Sequence, residues 1–373
     1  MGLVAKAVLS LECQVERLDL HEAANPVELL LEVRLGLEIS HHLVCSRGYH
    51  VRVDIVRTPD ERFEKLPGFP FAPHYTKVAS PRGGSLRMHR VDEGPADAPV
   101  VLMAHGEPTW SFLYRKLIPR FSQAGLRAVA PDHIGFGRSD KPVEKTDYSF
   151  AQHLAWLREL VVELDLRDIT LICQDWGGPL GLAALAAEPE RFSRVVATNT
   201  ILHSVEPGFA GRLTWSNHPV GGGDVQVSEA LLSWMALSQR MPDMSASLSI
   251  AGACASELPK DVLAAYDAPF PDERFKAGMR MFPILIPVTP SDEGAAINRE
   301  TWSALAGFEK PFLTAFSDGD PATRGFETLF RERVPGAKDQ PHVTIRGAGH
   351  FVQEDRGEEL ARVVLDFIER TGN

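Results

Sequence analysis

From about residue 75 the chain alternates between two hydrophobic patterns. The runs VVLMAH (100–105), LRAVAPD (126–132), ITLICQD (169–175), RVVATNT (194–200), PFLTAFSD (311–318) and HVTIRGAGH (342–350) are short and apolar or β-branched. Such runs predict strands buried on both faces, as in a parallel sheet. Between several of them lie helical patterns. HLAWLRELVVEL (153–164) sets Leu154, Leu157, Val161 and Leu164 along one stripe, and EELARVVLDFIER near the end does the same with Leu360, Val363, Val364 and Phe367. HYTKVAS and LRMHRVDEG read as a hairpin around PRGG. Strand and helix in alternation make a doubly wound, mostly parallel α/β sheet.

The alternation breaks between about 202 and 290. That stretch is rich in Met, Pro, Gly and Ser and reads as helices and loops without a clear strand. Trp215, Trp234, Phe209, Phe270 and Phe282 call for burial, which favours an inserted helical cap over a disordered insert. The expected organisation is an α/β core of residues 53–201 and 291–373 with a cap of 202–290. Residues 1–52 connect to no later pattern and are expected to be an extension. VDIVRTPDERFEKLPGFPFAPHY, from Val53, reads as a natural beginning. Translation is therefore expected to start near Val53 from a non-ATG codon.

Composition narrows the partners. A formal net charge of −11, with no run of Lys or Arg longer than two, argues against nucleic acid and anionic membrane and leaves a small neutral substrate. No apolar stretch approaches the roughly 18–20 residues that span a bilayer. The first residues lack a signal-peptide cleavage pattern. Cys13, Cys45, Cys173 and Cys254 have neither paired nor metal-type spacing, as expected of reduced thiols in the cytoplasm.

In a sheet of this type functional residues gather at the carboxyl ends of strands. Asp175 ends ITLICQD at a sharp strand-to-helix turn, Asp320 follows LTAFSDG, and His350 closes VTIRGAGH. Their order is that of an α/β-hydrolase triad, and Asp-Trp-Gly-Gly has the form of a nucleophile elbow. Cys173 stands where a first glycine is often found, a tolerable change because only the far side of the elbow must be very small. Asp320 is preferred to Asp318 as the acid because it sits just before Pro321. GFG (135–137) lacks the spacing of a dinucleotide loop, SDGDP lacks the further ligands of a calcium loop, and His203 and His218 have no metal spacing.

From about residue 53 onward the chain resembles the haloalkane dehalogenases of the α/β-hydrolase fold. The resemblance rests on HGEPTWSFLYRKLIP (105–119), PDHIGFGRSDKP (131–142), QDWGGPLGL (174–182), AYDAPFPDERFKAG (265–278) and GAGHFVQED (347–355). Glu107 in HGEP, together with LLSWMALSQ, resembles the branch in which a second tryptophan on the cap holds halide. The resemblance implies hydrolysis of a haloalkane to a primary alcohol and halide, with Asp175 as nucleophile, His350 as base for water and Asp320 as its partner. It also implies backbone donors at Glu107 and Trp176 for the oxyanion, and indole donors at Trp176 and Trp234 for halide. A carboxylate suits this task, because displacement at saturated carbon leaves an ester that water can cleave, whereas serine would leave an ether.

The plain alternative for Trp234 is core packing of a cap helix, and Trp215 is a competing donor. Water and the triad suffice, so no metal or organic cofactor is implied, and nothing points to an obligate partner, leaving a monomer as the expectation. Two other functions stay open. An epoxide hydrolase would use the same aspartate but is assisted by two cap tyrosines, and only Tyr266 of the five tyrosines falls in the cap. A non-catalytic binder of this fold would usually lack a triad member, and none is missing.

Overall fold

The computed structural model describes residues 53–203, 205 and 229–372. The expectations for residues 1–52, Phe209, Trp215 and His218 lie outside the described residues. Eight strands form one sheet: β1 (His74–Ala79), β2 (Ser85–Glu93), β3 (Val100–Ala104), β4 (Arg127–Pro131), β5 (Ile169–Asp175), β6 (Phe192–Thr200), β7 (Phe312–Ser317) and β8 (Val343–Ile345). Their spatial order is β8-β7-β6-β5-β3-β4-β2-β1. The β1–β2 and β2–β4 pairs are antiparallel and the rest are parallel. The chain thus reverses direction in space between the neighbours β3 and β5. In such a sheet the crevice at the carboxyl ends of these strands is where a ligand fits.

The buried runs are where the pattern placed them. β3 is buried throughout, and β5 and β7 are buried in all but their last residues. Helices cover both faces: α1 (Ile118–Gln123), α2 (Phe150–Glu163), α3 (Gly177–Ala187), and, after the break, α4 (Glu229–Arg240), α5 (Ala246–Ala253), α6 (Lys260–Asp267), α7 (Ala277–Leu285), α8 (Glu293–Leu305), α9 (Phe326–Arg333) and α10 (Val352–Thr371). Helix α2 begins at Ser149, whose hydroxyl accepts from Gln152 N–H and so satisfies one donor of the free first turn. Its buried face holds His153, Trp156, Leu157, Leu160 and Val161, and Leu154 and Leu164 of the expected stripe pack half-buried against the core beside it. Trp156 sends its indole N–H to the Ala79 carbonyl on edge strand β1, at 2.8 Å. On the same edge Glu159 accepts from the Ala79 N–H at 2.8 Å.

Strand β8 is shorter than expected. It ends at Ile345, and a loop turning through Gly347, at φ 68°, carries the chain on to His350. That histidine therefore stands in a loop rather than at a strand end. Among the described residues no helix is long and apolar enough to cross a membrane.

The tightest local constraint lies where β5 gives way to α3. Asp175 adopts φ 50°, a left-handed conformation rare for a residue with a side chain. The register of β5 on β6 shifts there as well, from Cys173 opposite Ala197 to Asp175 opposite Thr200. The helix then starts so close to β3 that a Cβ on Gly177 would stand 2.0 Å from the Ala104 carbonyl oxygen. Cys173, by contrast, is accommodated with its sulfur 3.9 Å from the Val196 carbonyl. Gly177→Ala is accordingly expected to destabilise the fold by about 1 to 3 kcal/mol, because backbone on both sides must move. Urea unfolding of the two proteins measures this, and an unchanged midpoint would show that the elbow gives way freely.

Candidate active site

The elbow at Asp175 presents its carboxylate to two neighbours. Oδ1 accepts the Glu107 backbone N–H at 2.7 Å. Oδ2 lies 3.5 Å from His350 Nε2. The approach from the HGEP turn is possible only because Gly106 has no side chain, since a Cβ there would fall 2.0 Å from Asp175 Oδ1. Thr200 fastens the elbow from beneath by donating its hydroxyl to the Asp175 carbonyl at 2.6 Å.

On its other side His350 meets Asp320. Nδ1 and Asp320 Oδ2 are 2.9 Å apart, and Asp320 also accepts from the Thr323 hydroxyl and the Ala322 N–H at 2.5 and 2.9 Å. Asp320 is 2% exposed. Burial alone would raise its pKa, but the His350 charge and these donors outweigh it and hold the carboxyl below its ordinary value. Asp318, the competitor, turns away and accepts the Gly347 N–H at 2.8 Å. Burial likewise works against the charged form of His350. The Asp320 charge and the hydrogen bond to Asp175 overcome it and raise the imidazole from 6.5 to about 10.

The remaining expected residues line the same hollow. Trp176 is 3% exposed, with its ring stacked on Phe282 at 4.9 Å and 13° and edge-on to Phe150. Trp234 on α4 is half-buried beside the Glu107 side chain. Glu107 is itself buried. Desolvation, with the Asp175 charge beside it, raises its carboxyl well above its ordinary value.

Three neighbours escaped the reading of the sequence. Gln174 places its amide nitrogen 3.0 Å from His350 Nε2, and its only signal was adjacency to Asp175. Asn199, near the end of β6, donates to the carbonyls of Gly349 and His350 at 2.8 and 2.9 Å and so pins the histidine loop. Phe282 supplies the platform under Trp176. Behind it His105, His133 and His153 pack ring against ring, with centroids 4.5 Å apart for the first two and 6.2 Å for the last two. Burial lowers all three pKa values, that of His153 to about 3, so His350 is the charged imidazole of this region. His203, also buried, stacks edge-on to Phe326.

Such a set, with a carboxylate on an elbow, an imidazole beside it and a second carboxylate behind, is equipped for nucleophilic attack followed by base-assisted hydrolysis. Comparison with known proteins agrees. Residues 99–356 match the family model of the alpha/beta hydrolase fold. The haloalkane dehalogenase of Psychrobacter cryohalolentis is 45% identical over 314 residues, covering 84% of this chain and 98% of that protein. That of Mycobacterium marinum is 42% identical over 315 residues, covering 84% and 100%. Among solved structures, the tetrameric haloalkane dehalogenase DpaA of Paraglaciecola agarilytica NO2 superposes with a TM-score of 0.75 at 34% identity, over 85% of this chain and 99% of that one. With its sheet, elbow and these relatives together, the chain belongs to the haloalkane dehalogenases of the α/β-hydrolase fold.

Proposed function

We propose that this chain hydrolyses haloalkanes to an alcohol and halide through an ester on Asp175. The observation that carries the mechanism is His350 standing between two carboxylates, 3.5 Å from one and 2.9 Å from the other. Because Oδ1 is held by the Glu107 N–H, Oδ2 is the oxygen free to attack. It forms a C–O bond as the carbon–halogen bond breaks and the halide leaves with the electron pair. While Asp175 is ionised, His350 keeps its proton. Esterification removes the Asp175 charge and with it part of what raises the imidazole, so His350 gives its proton up to solvent, the net proton of the reaction, and becomes a base when water must be activated. Water then adds to the Asp175 carbonyl carbon, Asp320 steadies the imidazolium that forms, and the alcohol departs with a proton. The oxyanion sits where Oδ1 already meets the Glu107 N–H, with the Trp176 N–H as its second donor.

For the halide we assign the indoles of Trp176 and Trp234, which offer N–H donors without an acceptor to repel an anion. The flat support of Phe282 beneath Trp176, and the position of Trp234 at Glu107, favour this pair over packing alone. We also infer that residues 202–290 are a cap on a core of 53–201 and 291–373. In support, α4 to α7 follow one another without a strand, Ala265 receives the Trp110 indole N–H, and α8 packs back on α2 and α3. The triad is complete within one chain, so the chemistry needs no second copy, and the P. agarilytica relative is described as tetrameric. The free, buried thiols of Cys173 and Cys254 fit a reducing, cytoplasmic setting.

Epoxide hydrolysis is the less supported reading. The Tyr266 hydroxyl, which would have to assist the leaving oxygen, is committed to Glu354. A non-catalytic binder fits poorly with a triad drawn together at hydrogen-bond range.

Three measurements test this reading. Bromide release from 1,2-dibromoethane is expected from the purified protein and at least a thousandfold less from Asp175→Asn, which keeps the shape and loses the nucleophile, a loss in the range known for nucleophile variants. Release that survives the substitution would refute the ester. Trp176→Phe and Trp234→Phe should each weaken bromide binding by about 10- to 100-fold, the worth of one hydrogen bond to an ion. Quenching of tryptophan fluorescence by bromide reads this out. Finally, Asp175→Asn should lower the pKa of His350 from about 10 as followed by imidazole NMR. The sign extends to stability: a pKa raised from 6.5 contributes stabilisation that is full below pH 6.5 and lost as pH rises through about 10. In the variant the loss should still begin near pH 6.5 but be smaller and complete at lower pH.

A further inference from the structure

The loop that carries His350 is tied to the cap as firmly as to the core. The His350 N–H donates to the Ala253 carbonyl at the end of α5, at 2.8 Å. Five residues on, in the first turn of α10, the Asp355 carboxylate gathers four donors from two separate segments. Oδ2 accepts the N–H of Gly349 and the N–H of Ala255, both at 2.8 Å. Oδ1 accepts the Ser256 N–H at 2.8 Å and the Ser256 hydroxyl. Gly349 immediately precedes the histidine, whereas Ala255 and Ser256 belong to the stretch joining α5 to α6. Its neighbour Glu354 repeats the bridge with other partners, taking Arg115 from the core, at 2.8 Å for one of its nitrogens, and the Tyr266 hydroxyl from α6.

We propose that Asp355 is a positioning residue for the second half of the reaction: it fastens the cap segment 253–256 to the backbone beside His350, so that the docked cap sets the imidazole to activate the water that attacks the ester. The proposal rests on the reading of Asp175 and His350 given above. A single carboxylate is well suited to the task. Its two oxygens accept from both segments at once, and charge makes each bond shorter and stronger than a neutral one. The two steps of the reaction depend on it unequally. Attack by Asp175 needs the elbow, the Glu107 N–H and the halide donors, none of which Asp355 touches. Hydrolysis needs Nε2 aimed at a water, and a shift of about 1 Å in a catalytic group can cost about a hundredfold in rate.

The experiment is single-turnover kinetics with 1,2-dibromoethane on the full-length protein and on the Asp355→Ala and Asp355→Asn variants, with bromide release and the mass of the alkylated enzyme followed together. In Asp355→Ala, alkylation should stay within about twofold while ester hydrolysis slows about tenfold or more. The ester should then accumulate, with kcat and KM falling together. Asp355→Asn keeps one acceptor oxygen and should lie between the two. It also serves where the alanine variant does not fold. Unchanged hydrolysis in both variants would overturn the proposal, as would an equal slowing of both steps accompanied by a lower melting temperature, the mark of a purely structural role. A His350→Phe variant separates the two levels: if it forms no ester on Asp175, the reading of the reaction itself fails, whatever the Asp355 variants do.

Discussion

One imidazole shared between two carboxylates, in a place with little water, is the condition on which the site depends. Each carboxylate offsets part of the desolvation of the buried histidine, the Asp320 charge most of all. With Asp320 fully enclosed and Asp175 at the rim of the hollow, the positive charge has a fixed counterion on one side and a consumable one on the other. The three imidazoles nearby are held neutral by burial, so they add no competing charge. The fold serves this arrangement by bringing three distant pieces of chain to one end of the sheet and by forcing Asp175 into a conformation it would not choose.

Much of this was legible in the residues because it follows from short-range rules. Buried parallel strands read as unbroken apolar runs, and β5 matched its run from Ile169 to Asp175. The elbow was legible because a side chain on Gly177 has nowhere to go. Asp320 was preferred over Asp318 from its place before Pro321, and the two do point in different directions.

What escaped depends on partners far away in sequence. The tie of Trp156 on α2 to a carbonyl some eighty residues earlier is one that no helical period encodes. His350 stands beyond the end of β8 because Asn199 and the Ala253 carbonyl hold its loop where strand pairing has ceased. No motif assigns a role to Gln174 or Phe282. Their importance comes only from what they touch once the chain has folded.

The treatment of edge strand β1 has a consequence for how copies of this chain meet. An exposed strand edge is a template on which another chain can add its own strand. Here Ala79 has its N–H taken by Glu159 and its carbonyl by Trp156, and the exposed Lys77 puts a charge on the same strand. At the far border β8 offers three residues, too few to seed a ladder. Growth of the sheet by strand addition is thus discouraged at both borders, which leaves the helices and loops of the described residues as the more favourable surfaces for assembly.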